Sequence, residues 1–129
     1  MADKIILADT SILIDYFRKT EKSKSTLILL FNEGYDFAIS AISHYEIYSG
    51  TTTAQFPFWQ SLLLRTNILA FNQNVAQTAV DINNELKKKR KQIEMADLLI
   101  PATAITYDLP FATLNKKHFE RIDGLYVIE

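Results

Sequence analysis

Asp9 directly follows a short apolar run, and Glu46 interrupts an apolar stretch. Asp97 stands inside Met95-Ala96-Asp97-Leu98-Leu99-Ile100, where burial is expected, and Asn115 follows a further apolar run. Carboxylates in buried surroundings are rare unless paired or bound to metal. Each residue also has a bland reading: a helix N-cap for Asp9 and for Asp97, a solvated surface position for Glu46, turn chemistry for Asn115. Brought together in one pocket, the carboxylates repel, and one or more takes up a proton unless a cation is present. An oxygen-only cluster favours a hard ion, Mg²⁺ or Mn²⁺, which keeps several waters and binds a substrate phosphate. Such a site can activate water for in-line attack on phosphorus and stabilise the leaving oxygen. The matching reaction class is metal-assisted phosphodiester hydrolysis.

That chemistry requires elements that converge on one place. Lys4 to Ala8 is a continuously apolar run, the pattern of a strand buried on both faces. Thr10 or Ser11 can cap the helix that follows through Ile12, Leu13 and Phe17. A second helix is predicted from Glu21 to Glu33, stopped by Gly34, then a strand from Asp36 to Ser40 and a helix from Ala41 to Ser49. Phe58 to Arg65 reads as helix after Pro57, and Asn67 to Phe71 as the third strand. Asn74 to Lys89 places Val75, Ala79, Ile82 and Leu86 on one side of a long helix. Met95 to Ala104 reads as a buried helix in which Pro101 implies a kink or a late start. Phe111 to Leu114 and Leu125 to Ile128 are predicted as strands four and five, flanking a helical turn at Lys116 to Phe119. Strands alternating with helices specify an α/β fold with a mainly parallel sheet and helices on both faces. Its ligand crevice lies beyond the carboxyl ends of the strands, where Asp9 and Asn115 fall.

A chain of 129 residues, 48% apolar and 22% charged, suits one domain over residues 1–129. Fourteen Lys and Arg against fifteen Asp and Glu give a net charge of -1, which excludes nucleic-acid binding through a whole-molecule basic field. The absence of Cys removes disulfides, thiolate metal sites and thiol nucleophiles. No secretory signal or bilayer-length apolar run is visible, so the expected location is the cytoplasm, with no membrane partner.

Leu7 to Asp15 (L-A-D-T-S-I-L-I-D), Ser40 to Gly50 (S-A-I-S-H-Y-E-I-Y-S-G), Ala96 to Ala104 (A-D-L-L-I-P-A-T-A) and Leu109 to Phe119 (L-P-F-A-T-L-N-K-K-H-F) occur in order along the whole chain. Together they resemble the PIN-domain family, with the closest likeness to its VapC toxin ribonucleases. The resemblance implies an α/β/α fold and a metal-dependent endoribonuclease acting as the toxin of a type II toxin–antitoxin pair. It implies an acidic site of Asp9, Glu46, Asp97 and Asn115 around one or two Mg²⁺ or Mn²⁺ ions. Thr10, Ser11 and Thr113 match its supporting hydroxyl residues. The implied partners are an RNA substrate, a small antitoxin and a second copy of the chain. Two departures are Pro101, where the family usually has Ala, and Asn115, where it often has Asp. The competing reading is a catalytically weak PIN-like module that binds RNA or protein. Other phosphoryl-transfer folds fail on residues: a haloacid-dehalogenase-type phosphatase needs Asp where Ser11 stands, and a receiver domain needs an acidic residue at the end of N-I-L-A-F.

Lys87 to Lys91 holds five of the fourteen basic residues. It reads either as a solvated helix end favoured by the dipole or as a phosphate-contacting rim, extended by Lys116, Lys117 and Arg121. His44 and His118 lack partners at metal-ligand spacing and are expected to pack or hydrogen-bond. Phe56, Pro57, Phe58 and Trp59 read as core packing or as a partner-binding surface.

Overall fold

The computed structural model describes residues 4–128. Strand β1 (Lys4–Ala8) has the two-residue alternation of a sheet covered on both sides. Leu7 faces one core, Ile6 and Ala8 the other, and all three are fully buried. Strands β2 (Tyr35–Ser40), β3 (Asn67–Leu69) and β4 (Phe111–Ala112) complete a parallel sheet in the order β3-β2-β1-β4. Leu7 is in register with Ala38 on one side and Phe111 on the other. The chain builds outward from β1 through β2 to β3, then returns to place β4 on the opposite flank of β1. The strand order therefore reverses between β1 and β4, the position where open α/β sheets leave a crevice.

One layer consists of α1 (Thr10–Arg18), α2 (Thr26–Asn32), α3 (Ala41–Gly50) and α4 (Phe56–Leu63), which bury Ile12, Leu13, Leu27, Leu30, Ile47, Trp59 and Leu63. The other consists of α5 (Gln73–Lys88), α6 (Met95–Thr106) and α7 (Lys116–Phe119). Val75, Ala79, Ile82 and Leu86 form the buried stripe of α5, as their spacing predicts. Trp59 stacks on Phe17 at 5.1 Å and is nearly buried, so the aromatic cluster is largely core; Phe56 at its edge is 40% exposed.

The structure corrects four expectations. The segment from Glu21 to Glu33 is not one helix. A single 3₁₀ turn (Lys22–Lys24) precedes α2, and Ser25 caps α2 by accepting from the Ile28 N–H. The break follows from Lys22, whose Nζ donates to the Tyr16, Phe17 and Lys19 carbonyls at 2.8, 2.7 and 2.9 Å and so closes the end of α1. The third and fourth strands are shorter than expected, ending at Leu69 and Ala112. Leu125 to Ile128 forms no fifth strand, only a bridge between Val127 and Phe111, because a two-residue β4 offers too little edge for a longer ladder. Asp97 is not buried: its side chain is 42% exposed in the first turn of α6. Leu98 and Ile100 are drawn into the core by the rest of that helix, while Met95 is exposed and Asp97 faces out where the N-terminal dipole favours a carboxylate. Pro101 does not delay α6, which starts at Met95; lacking an N–H, it removes the donor that Asp97's carbonyl would otherwise receive.

Candidate active site

Asp9 directly follows β1 and occupies the N-cap position of α1, yet its side chain makes no capping bond. It turns instead toward β4. Thr113 Oγ1 and Ser11 Oγ donate to the same oxygen, Asp9 Oδ2, at 2.8 and 3.0 Å. The two hydroxyls are themselves oriented, because the Asn115 N–H donates to Thr113 Oγ1 and the Leu114 N–H to Ser11 Oγ. Asp9 is only 7% exposed. Burial holds its carboxyl above the ordinary carboxylate range, opposed by the Thr113 and Ser11 hydroxyls and the Thr10 amide, and reinforced by the negative charge of Asp97.

Glu46 reaches the same end of the sheet from α3. Ser40, the last residue of β2, caps α3 by accepting from the Ser43 N–H at 3.0 Å. Thr10 Oγ1 donates to Glu46 Oε1 at 2.7 Å, and Ser43 Oγ lies 2.8 Å from Thr10 Oγ1. A hydroxyl has one proton, and that of Thr10 is committed to Glu46, so Ser43 donates to Thr10. Ser40 Oγ in turn donates to Ser43 Oγ at 3.5 Å. The chain of hydroxyls runs one way, toward the carboxylate.

Asp97 is held from α7: His118 Nε2 lies 3.1 Å from its Oδ2. The three carboxylates thus share an arrangement. Each has one oxygen engaged by a hydroxyl or an imidazole. The second oxygen of Glu46 and of Asp97 receives no hydrogen bond from the described residues, and Oδ1 of Asp9 takes neither hydroxyl. Asn115 is present at the rim, but its exposed side chain makes no hydrogen bond among the described residues, and only its backbone is tied in. His44 lies elsewhere, edge-on to Tyr48 at 4.7 Å, with Nδ1 buried and unbonded among the described residues.

Among the described residues no three His, Asp or Glu side chains close into a ligand cage. The donor set fits an ion that keeps several of its waters, as Mg²⁺ does, and does not fit one that needs a complete protein shell. Burial raises the proton affinity of Asp9, and a cation held nearby would return it to its charged form. Sequence reasoning missed Ser40, Ser43 and the contact from His118 to Asp97. The first two were accessible through the S-x-x-S capping spacing and the three-residue step from Ser43 to Glu46 on one helix face.

A family model described as PIN domain matches residues 6–125. The chain belongs to the PIN-domain family. This PIN domain is 31% identical to ribonuclease VapC10 of Mycobacterium tuberculosis over 121 residues, 94% of this chain and 90% of the relative. Its fold matches a chain in the crystal structure of VapBC2 from Rickettsia felis bound to a DNA fragment from the promoter, with a TM-score of 0.84 and 26% identity, over 96% of this chain and 97% of that one. It also matches a toxin–antitoxin complex from Klebsiella pneumoniae at a TM-score of 0.72 and 30% identity, over 95% and 99% of the two chains. No helix among the described residues is long and apolar enough to cross a membrane.

Proposed function

We propose that this PIN domain is a metal-dependent endoribonuclease, the toxin of a type II toxin–antitoxin pair, cytoplasmic and dimeric, and held inactive by a small antitoxin. The observation that carries the reading is the shared arrangement of Asp9, Glu46 and Asp97 around the carboxyl end of β1, each steadied through one oxygen. The ribonuclease relatives and the toxin–antitoxin neighbours support the substrate class and the partner.

Asp9, Glu46 and Asp97 would hold Mg²⁺ or Mn²⁺, with Asn115 offering its amide oxygen at the rim. When bound, the ion supplies an activated water and charge stabilisation for phosphodiester hydrolysis. Thr113 and Ser11 fix the Asp9 rotamer, and the Ser40–Ser43–Thr10 chain fixes Glu46, so both carboxylates are set before substrate arrives. His118 orients Asp97 from outside.

A catalytically weak binding module is the second reading, favoured by Asn115 at the fourth position and by the half-exposed Asp97. Incubating purified protein with single-stranded RNA separates the two. Cleavage that requires Mg²⁺ or Mn²⁺ and stops with EDTA supports the nuclease, whereas binding without cleavage under both ions supports the module.

A further inference from the structure

The basic run that begins at Lys87 does not stay together in the fold. Lys88 lies 3.4 Å from Glu85 on α5, and Lys89 pairs with Asp123 at 3.0 Å. Arg90 then adopts a left-handed conformation, φ 56°, and turns the chain away from the helix. Past this turn the Lys91 carbonyl accepts from Arg121 Nη1 at 3.3 Å, while Arg121 Nε donates to the His118 carbonyl at 2.9 Å. The result is an open cleft of about 530 Å³ lined by Lys91, Lys117, Glu120 and Arg121. Three cations face one acid, and neither Lys91 nor Lys117 has an ion-pair partner among the described residues. The cleft shares α7 with His118, whose ring contacts Asp97, so it adjoins the acidic site.

We propose that the cleft between Lys91, Lys117 and Arg121 is a phosphate-binding site that seats the backbone of single-stranded RNA beside Asp97. This rests on the ribonuclease reading and adds where the substrate enters. With a net charge of -1, the chain has no global field to attract RNA, so local cations must do so. Asp9, Glu46 and Asp97 repel phosphate in the absence of metal, which makes neighbouring cations more necessary. Arg121 is committed to two backbone carbonyls and shapes the cleft. Lys91 and Lys117 are free to meet phosphates.

The test compares two variants with the same loss of charge: Lys91→Gln/Lys117→Gln in the cleft, and Lys87→Gln/Lys88→Gln on α5. Binding of a short labelled single-stranded RNA is followed by fluorescence anisotropy in EDTA, across a salt series. The cleft pair is expected to weaken binding on the order of tenfold at low salt and to reduce the slope of log Kd against log salt by about 1.4, the release of two single-strand contacts. It also raises KM for cleavage in Mg²⁺. The α5 pair leaves affinity and slope near those of the unmodified protein. Equal effects from the two pairs, or no effect from the cleft pair, overturn the proposal. If the unmodified protein cleaves RNA while the cleft pair binds it unchanged, the cleft alone is wrong. If the cleft pair loses binding but the unmodified protein never cleaves, the nuclease reading falls and the phosphate site stands.

Discussion

A carboxylate buried as deeply as Asp9 resists ionisation, and the sign of its effect on stability follows. Its proton affinity is raised in the folded chain. The folded state therefore binds more protons than the unfolded state between the two pKa values, and the metal-free protein loses stability as pH rises through that window. Asp9→Asn removes the charge and keeps the shape. At neutral pH in EDTA it is expected to raise the melting temperature by about a few degrees, a gain that vanishes below about pH 3, where the carboxyl is neutral in both states. Melting curves at the two pH values check this, and a lower melting temperature for the variant at neutral pH contradicts it. His118 makes a separate prediction. If it steadies Asp97, His118→Ala raises the Mg²⁺ concentration that half-stabilises the fold by roughly tenfold, while His118→Gln, which keeps a donor near the same reach, recovers part of the loss. An unchanged Mg²⁺ midpoint for His118→Ala removes that role.

At the scale of elements, β1, α1 and α3 are joined by hydroxyls. Ser43 is fully buried and stands between Ser40 and Thr10. Ser43→Ala leaves Ser40 without its acceptor and Thr10 without its donor. It is expected to cost about 1–3 kcal/mol in urea unfolding and to lower cleavage by loosening Glu46. A loss within a few tenths of a kcal/mol would show the chain of hydroxyls to be dispensable. These elements were legible to different degrees in the sequence. The apolar run of β1 and the periodic stripe of α5 carry their own signals, because burial selects their residues directly. The break at Ser25 was not legible, since it depends on Lys22 reaching carbonyls of the preceding helix. The contact between His118 and Asp97 spans twenty-one residues and exists only once α7 has docked on the start of α6. Asp97 itself was assigned to the right element but the wrong environment: local composition reports the helix, and only packing decides which face of its first turn meets solvent.

On the scale of the whole molecule, the reversal of strand order beside β1 gathers residues from the first tenth and the last fifth of the chain. Two helical layers with separate cores support that crevice from both sides. An ion held by these carboxylates would link the layers, since Asp9 and Glu46 hang on one and Asp97 on the other. Mg²⁺ at a hundredfold excess over its dissociation constant is accordingly expected to stabilise the fold by about 2.7 kcal/mol, and Asp97→Asn to lose most of that increment. Equal shifts of both melting temperatures would separate Asp97 from the ion. The most direct measurement of the central claim is the rate of RNA cleavage in saturating Mg²⁺ by Asp9→Asn and by Asp97→Asn, each shown by its melting curve to be folded. Both rates are expected to fall by at least roughly a hundredfold. Cleavage at the unmodified rate by either folded variant would contradict that claim.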